Sequence, residues 1–185
     1  MNRILLVIMV AVGISLTACA RKTESKSMDG AKILVAYFSA TGTTESVAEK
    51  IADATGGRLY KIVPEKEYTS ADLNWNDDRS RSSVEMNNPE SRPAIGRSPV
   101  DISAYDVVFI GYPIWWDQAP RIINTFIESN DLSGKAIMPF ATSGGSGISN
   151  SVEVLKRSYP ELKINEGKLL NGSSSASIRS WIDVL

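Results

Sequence analysis

The sequence predicts an α/β fold in which helices cover both faces of a parallel β-sheet. Three short, continuous apolar runs, at residues 33–38, 107–110 and 136–140, have the pattern of strands that are buried on both sides. Helical patterns lie between these runs, so that strand and helix alternate about five times along the chain. Right-handed crossovers between parallel strands follow as the default connection.

The first half of the chain supplies two strands and one helix. Residues 33–38 form the first predicted strand, and the glycine pair Gly56 and Gly57 ends the helix that follows it. Residues 58–63 alternate more strongly between apolar and polar, which is typical of a strand near the edge of a sheet. The apolar positions of this first helix share one face: Val47, Ala48, Ile51 and Ala52.

The second half supplies the other strands and helices. Residues 107–110 and 136–140 are the strong strands, whereas residues 164–170 form a weaker one because Gly167 interrupts them. Pro120 suits the first position of the helix between the two strong strands. The apolar positions of the three helices are Ile122, Ile123, Phe126 and Ile127, then Val152, Val154 and Leu155, and finally Ile178, Trp181, Ile182 and Leu185.

Residues 64–104 break the alternation because they are polar and rich in Asn, Asp, Arg and Ser. A short helix is expected at residues 70–75, and the rest is predicted to be a long loop, of the kind that is usually functional or disordered. Tyr68 and Trp75 either belong to the rim of a site or fix this loop to the core, and the second interpretation is the favoured one.

Composition excludes several kinds of chemistry. The chain has 185 residues, enough for one domain, with no histidine and one cysteine. Catalytic arrangements and metal sites that need histidine are therefore excluded, as are disulfides and thiol pairs, and we expect no metal. A net charge of −1 gives no electrostatic reason to expect binding to nucleic acid. The remaining chemistry uses hydroxyls, backbone amides, aromatic rings, carboxylates or a bound cofactor.

The first 19 residues have the features of an export signal. Arg3 provides a positive start, residues 4–18 are an apolar run, and the run ends at Cys19. This segment resembles a bacterial lipoprotein signal, in which the cysteine becomes the lipid-bearing first residue after cleavage. The alternative is an uncleaved N-terminal anchor. We expect a lipid-anchored protein of the bacterial cell envelope, with a flexible tether at residues 20–30 and a folded domain at residues 31–185.

The loop after the first strand is rich in hydroxyl groups. Ser39, Thr41, Thr43 and Thr44 surround Gly42, and the loop runs directly into a helix. The first amides of a helix carry a partial positive charge, which suits a phosphate. The loop holds no lysine or arginine, and neither the nucleotide-triphosphate pattern nor the dinucleotide glycine pattern is present. A phosphate here would be held by neutral donors, and the alternative is a simple helix cap.

The loop after the 107–110 strand contains two adjacent tryptophans, Trp115 and Trp116, preceded by Pro113 and Ile114. In an extended loop the two indoles would point to opposite sides. One would then pack on the core, while the other would face a planar ligand. The alternative is that both tryptophans are partly buried and serve only in packing.

The loop after the 136–140 strand is rich in glycine. Thr142 and Ser143 precede Gly144 and Gly145, and a third glycine lies at Gly147. Glycines allow a ligand to approach the backbone closely, although a flexible surface loop is the alternative. Because ligands of open α/β sheets bind beyond the carboxyl ends of the strands, the three loops are predicted to form one site. The ligand that suits all three is an aromatic heterocycle that carries a terminal phosphate.

These loops resemble those of the flavodoxin-like family over residues 31–185. The resemblance implies a three-layer α/β/α fold, a five-stranded parallel sheet of order 2-1-3-4-5, and FMN as the cofactor. It places the phosphate on the first loop, the ring against Trp115 or Trp116, with Trp116 favoured, and the pyrimidine end against the backbone of residues 143–145. Electron-carrier flavodoxins are strongly acidic and cytoplasmic, and this near-neutral chain with an export signal departs from them on both points.

Together with the export signal, the resemblance implies electron transfer by a non-covalently bound flavin at the cell envelope. The partner would be a redox protein or a small-molecule electron acceptor. One alternative is an FMN-dependent NAD(P)H quinone or nitro-compound reductase. Another is a binding module that keeps the fold without the flavin, against which the complete first loop argues.

Overall fold

The computed structural model of the protein describes Met28 and residues 30–185. The predicted lipoprotein signal with Cys19 and most of the predicted tether lie outside the described residues. Within the described part, six strands belong to one sheet. The strands are β1 (Ile33–Tyr37), β2 (Arg58–Lys61), β3 (Val107–Pro113), β4 (Ala136–Thr142), β5 (Lys163–Ile164) and β6 (Lys168–Leu169).

Five helices are present in the same part of the chain: α1 (Thr43–Thr55), α2 (Arg81–Asn87), α3 (Arg121–Glu128), α4 (Ser149–Ser158) and α5 (Ser175–Ile182). The predicted boundary signals work as expected. Gly56 ends α1 in the left-handed region at φ 67°, and Pro120 precedes α3 directly. The hydroxyl of Ser174 caps α5 by accepting a hydrogen bond from the backbone N–H of Ser177.

All strand pairs in this sheet are parallel, and the strand order is β2-β1-β3-β4-β5. This is the order that the family resemblance implies, and it confirms the predicted fold class. The central register pairs Val35 with Phe109, and Phe109 with Met138. The carboxyl ends of β1, β3 and β4 therefore lie side by side at one edge of the sheet.

Alternate residues of the central strands pack into two separate cores, one on each face of the sheet. Leu34 and Ala36 belong to the core that is covered by α3 and α4, whereas Val35 and Tyr37 belong to the core that is covered by α1 and α5. Since both faces are covered, the strands are apolar throughout, as the sequence pattern indicates. Burying a side chain as completely as that of Phe109, which is 0% exposed, stabilises the fold by about 1.5–3 kcal/mol.

The weak final strand is divided into β5 and β6, both of which pair with β4. At the break, the backbone N–H of Asn165 donates to the carbonyl of Ile137 at 2.9 Å. Gly167 lies against α4, where an added Cβ would be 2.6 Å from Cδ1 of Ile148. A side chain at this position would have to displace Ile148, so close packing favours glycine at the interruption that the sequence pattern indicates.

The segment between β2 and β3 differs from the prediction. The helix expected at residues 70–75 is absent, and hydrogen-bonded turns occupy this stretch. A helix forms instead at α2, where the hydroxyl of Ser80 caps the first turn by accepting from the N–H of Ser83 at 3.3 Å. The predicted long loop is thus an ordered segment with its own helix.

Among the helices of the described residues, none has the length and apolar character that a membrane span needs.

Candidate functional site

A cleft of about 670 Å³ opens at the carboxyl edge of the sheet, where the loops after β1, β3 and β4 meet. We call them the β1 loop (residues 39–44), the β3 loop (residues 113–119) and the β4 loop (residues 142–147). None of the described residues that line the cleft is charged. They are Ala40, Thr41, Leu73, Trp75, Ser82, Pro113, Ile114, Trp115, Trp116, Ser143, Gly144, Gly145 and Ser146.

The β1 loop turns at Gly42, whose φ is 87°. This left-handed conformation strains any residue with a side chain, so glycine is needed here. The hydroxyl of Ser39 accepts a hydrogen bond from the N–H of Gly42 at 3.1 Å and closes the turn. Thr41, Gly42 and Thr43 are exposed, and the first amides of α1 have no partners within the helix. The loop therefore presents neutral donors to solvent, as an anion site without lysine or arginine requires.

Thr44 has a different environment from the other threonines of this loop. It is 1% exposed, and its hydroxyl lies 2.8 Å from the hydroxyl of Thr142 at the end of β4. The two predicted site residues join the β1 loop to the β4 loop from beneath. Neither belongs to the lining of the cleft, which holds Thr41 alone among the threonines of these loops.

The β3 loop is a tight two-residue turn. It is not the extended loop in which the two indoles were expected to point to opposite sides. Trp115 and Gln118 pair as an isolated antiparallel bridge, with N–H to carbonyl distances of 3.0 and 2.9 Å. Trp116 and Asp117 at the tip have φ of 44° and 61°. Positive φ at both central residues defines a type I′ turn, which usually contains Asn or Gly. The side-chain amide of Asn150 donates to the carbonyl of Asp117 at 3.0 Å and fixes the tip to α4.

This turn gives the two tryptophans different roles. Trp115 packs edge-on against Phe38 and Tyr68, with ring centroids 5.6 and 5.3 Å apart. Trp116 is 40% exposed at the tip of the turn and lines the cleft. One indole thus anchors the loop to the core and the other is available to a planar ligand, which is the division that the sequence analysis describes.

Tyr68 connects the β3 loop to the segment between β2 and β3. Its hydroxyl donates to a carboxylate oxygen of Glu85 at 2.5 Å, and the guanidinium of Arg81 lies 4.0 Å from the centroid of its ring. Burial, and then the hydrogen bond to Glu85, raise the pKa of Tyr68. Nε of Arg81 donates to Glu85 at 2.6 Å. Tyr68 therefore fixes this segment to the core, as the favoured interpretation has it.

The β4 loop is held by polar contacts with two side chains. The hydroxyl of Ser143 accepts from the N–H groups of Gly145 and Ser146, at 3.1 and 2.8 Å. The side-chain amide of Asn171 accepts from the N–H of Ser143 at 2.8 Å and also donates to the carbonyl of Ser143. The β4 loop is therefore held in place by hydrogen bonds, in contrast to the alternative of a flexible surface loop.

Two glycines of the β4 loop have no explanation within the fold. An added Cβ on Gly144 or on Gly145 would meet no atom within 4 Å, and neither residue has a positive φ. Packing and backbone conformation would therefore accept a side chain at both positions. A ligand that approaches the backbone closely is the remaining physical reason for glycine here.

Several residues of the site escape sequence reasoning. Leu73 and Ser82 reach the cleft from the segment between β2 and β3. Trp75 lines the cleft as well, which agrees with the rim interpretation of this residue and not with the favoured one. Asn150 and Asn171 hold two of the loops. Asn171 precedes Gly172, whose φ is 59°, and this Asn-Gly turn signal is the one local pattern that could have drawn attention to it.

A second cavity, of about 520 Å³, opens at the opposite edge of the sheet. It lies near Asp106, Lys135 and Lys163 and contains none of the predicted site residues. Among the described residues, no group of three or more His, Cys, Asp or Glu side chains is arranged to hold a metal ion.

Comparison with known proteins relates this chain to flavoproteins. The flavodoxin family model matches residues 32–185. A structure named as a flavoprotein from Bacteroides eggerthii is 64% identical, with a TM-score of 0.81, over 83% of this chain and 97% of that chain. Another, from Bacteroides uniformis, is 54% identical, with a TM-score of 0.81, over 83% of this chain and 98% of that chain.

A more distant relative is a flavoprotein from Lactobacillus acidophilus whose crystal structure contains FMN. It is 22% identical, with a TM-score of 0.62, over 75% of this chain and 93% of that chain. At this identity the likeness shows the shared fold. No curated protein matches the chain significantly.

Proposed function

This chain belongs to the flavodoxin family, and on that premise we propose that its cleft binds FMN and that the protein is a redox flavoprotein of the cell envelope. When bound, FMN would supply the electron-transfer chemistry, between a donor and either a partner protein or a small-molecule acceptor. The FMN present in the Lactobacillus acidophilus flavoprotein supports this choice of cofactor. The residues of this chain then bind and orient the flavin.

The glycines of the β4 loop are the observation that carries the proposal. Gly144 and Gly145 have open space where a Cβ would lie, and they line the same cleft as Trp116. A flat ring bound against this backbone requires that space to remain empty. The indole of Trp116 offers a flat apolar surface for the same ring.

The β1 loop fits the phosphate group of FMN. Its exposed hydroxyls at Thr41 and Thr43 and the first amides of α1 are neutral donors, and the start of a helix carries a partial positive charge. Ser39 holds the turn at Gly42, while Thr44 lies beneath and bonds Thr142. In the proposal Thr41 and Thr43 therefore bind the phosphate directly, and Ser39 and Thr44 position the loop.

The lack of charge in the cleft suits the ring of the flavin. Leu73, Pro113 and Ile114 contribute apolar surface near the indoles, and no described lysine, arginine or carboxylate lines the cleft. An apolar pocket with a few polar groups at one end is the usual design of a cofactor site. The apolar part excludes water from the ring, and the polar β1 loop fixes its orientation.

FMN titration of the purified protein tests this function. We expect the visible absorption of bound flavin at one FMN per chain, and weaker binding when Thr41 and Thr43 are both replaced by alanine. Each neutral hydrogen bond contributes about 0.5–1.5 kcal/mol. The matched control is Thr125→Ala, on α3 and outside the cleft, which should bind FMN as the native chain does. A native protein that takes up no FMN would refute the proposed cofactor.

The envelope location rests on the N-terminal signal that ends at Cys19. A lipid on this cysteine would hold the protein at a membrane surface, since acyl chains partition strongly into bilayers. Replacing Cys19 by serine should move the expressed protein out of the membrane fraction, as measured by fractionation and immunoblotting. The control is Ser25→Ala in the predicted tether that follows Cys19, which should stay with the membrane. Equal membrane association of both variants would contradict the anchor.

A further inference from the structure

Trp75 has a different environment from that of the other tryptophans of the site. Its side chain is 71% exposed, and it makes no hydrogen bond or ring contact with the described part of the chain. It nevertheless lines the cleft together with Trp116. An exposed indole keeps a large apolar surface in contact with water, and contact with a ligand would cover that surface. Such a side chain at the edge of a cleft is suited to contact with a ligand.

The segment that carries Trp75 is ordered on both sides of this residue. Before it, the carboxylate of Asp72 accepts from the N–H and the hydroxyl of Thr69, at 2.9 and 2.8 Å. After it, the N–H of Asp77 donates to the carbonyl of Asn74 at 3.0 Å. The N–H of Ser82, which lines the cleft, donates to the carbonyl of Asp72 at 2.9 Å. The backbone at Trp75 is thus fixed in advance, which lowers the entropy lost when a ligand binds.

The three loops of the site present only one well-exposed aromatic ring to the cleft, that of Trp116. The ring of Trp115 is engaged with Phe38 and Tyr68, and the β4 loop contains no aromatic residue. Trp75 therefore supplies a second indole from outside the three loops. Trp75 and Trp116 make no ring contact with each other, and both line the same cleft of about 670 Å³.

We propose that Trp75 is a flavin-binding residue, whose indole contacts the ring of the cofactor and makes the segment between β2 and β3 a fourth wall of the site. This inference rests on the proposed FMN function. It assigns to this segment a role in recognising the ring, distinct from the role of the β1 loop in recognising the phosphate.

Riboflavin, which has the same ring but no phosphate, separates these two roles. The dissociation constants of FMN and of riboflavin would be measured by quenching of flavin fluorescence, with the native protein and with Trp75→Ala. Trp75→Ala should raise the dissociation constants of FMN and riboflavin by the same factor, about tenfold, because an aromatic contact and its buried area are lost. The Thr41, Thr43 double alanine variant should weaken FMN and leave riboflavin unchanged.

Two further variants complete the test. Trp75→Phe keeps a smaller ring and should show an intermediate loss. Val84→Ala, at a 55% exposed position of α2 outside the cleft, should bind both ligands as the native protein does. If the native protein binds FMN, and Trp75→Ala binds FMN and riboflavin as tightly as the native protein does, the inference is wrong while the proposed function stands. If the native protein binds no FMN, the proposed function itself fails.

Discussion

The β3 loop and the β4 loop reach the same cleft but are held in place by different forces. The β3 loop is anchored from below by an aromatic ring, because Trp115 packs on Phe38 and Tyr68. The β4 loop is anchored at the surface by hydrogen bonds to Ser143 and Asn171. Apolar anchoring contributes to the stability of the whole fold, whereas exposed polar anchoring mainly determines local order.

The largest effect is expected for Trp115→Ala, which removes the anchor of the β3 loop. Loss of a large, partly buried ring should lower the free energy of unfolding by about 3 kcal/mol, as measured by urea denaturation. Trp75→Ala is the control, because its 71% exposed side chain should change stability by no more than about 0.5 kcal/mol. Equal stability of the two variants would show that the Trp115 ring does not anchor the loop.

A smaller effect is expected for Asn171→Ala, which removes both contacts with the backbone of Ser143. We expect a loss of about 1–2 kcal/mol in unfolding free energy, and faster amide hydrogen exchange at Ser143 and Ser146 than in the native protein. Exchange at Trp115 should not change. Asn171→Asp keeps the acceptor for the Ser143 N–H but loses the donor, so it should give an intermediate result. Unaltered exchange at Ser143 in the alanine variant would contradict the comparison.

The strained tip of the β3 loop predicts a gain in stability. Asp117 has φ of 61°, and glycine adopts this conformation without a steric penalty. Glycine also raises the entropy of the unfolded chain, which offsets part of this benefit. Asp117→Gly should therefore raise the free energy of unfolding by about 0.5 kcal/mol. The control is Asp78→Gly, an exposed position without positive φ, which should lose stability. A loss at Asp117 as large as at Asp78 would mean that the turn is not strained.

The smallest effect concerns Glu45 in the first turn of α1, next to the β1 loop. Lys61 and the hydroxyl of Tyr37 donate to its carboxylate at 2.9 and 2.7 Å, and these contacts hold its pKa below the ordinary value of 4.5. A lowered pKa contributes stability that is present above pH 4.5 and is lost as the pH falls through the lower, folded value. Glu45→Gln should therefore cost about 0.3 kcal/mol at neutral pH, because the ion pair with Lys61 is partly exposed.

Thermal unfolding as a function of pH checks this linkage. The difference between Glu45→Gln and the native protein should shrink as the solution is acidified below the ordinary pKa of glutamate. Glu49→Gln, on an exposed position of the same helix, serves as the control and should show little difference at any pH. If the difference in thermal stability between Glu45→Gln and the native protein stays constant across this pH range, the ionised contacts of Glu45 are not its cause.

Most of the sheet could be predicted because its signals are local. Continuous apolar runs predict β1, β3 and β4, and the glycine pair at Gly56 and Gly57 predicts the end of α1. The strand order came from the family resemblance, since apolar runs contain no information on which strands are neighbours. The helix α2 was missed because it has seven residues, too few for a clear apolar period.

The contacts that complete the site could not be predicted, because they join residues distant in sequence. Asn171 reaches Ser143 across 28 positions, and Asn150 reaches Asp117 across 33. The roles of Trp115 and Trp116 depend on a turn whose central residues are not those that usually adopt positive φ. Trp75 reaches the cleft through the turns of its segment, whereas its sequence context suggested a residue that fixes a loop.

The buried hydroxyl pair of Thr44 and Thr142 has a consequence for how the cleft responds to occupancy. This 2.8 Å hydrogen bond joins the first turn of α1 to the end of β4. A displacement of α1 would therefore have to break this contact or carry with it the end of β4, where the β4 loop begins. The geometry of the hydroxyl-rich β1 loop and that of the glycine-rich β4 loop are therefore linked through one buried hydrogen bond.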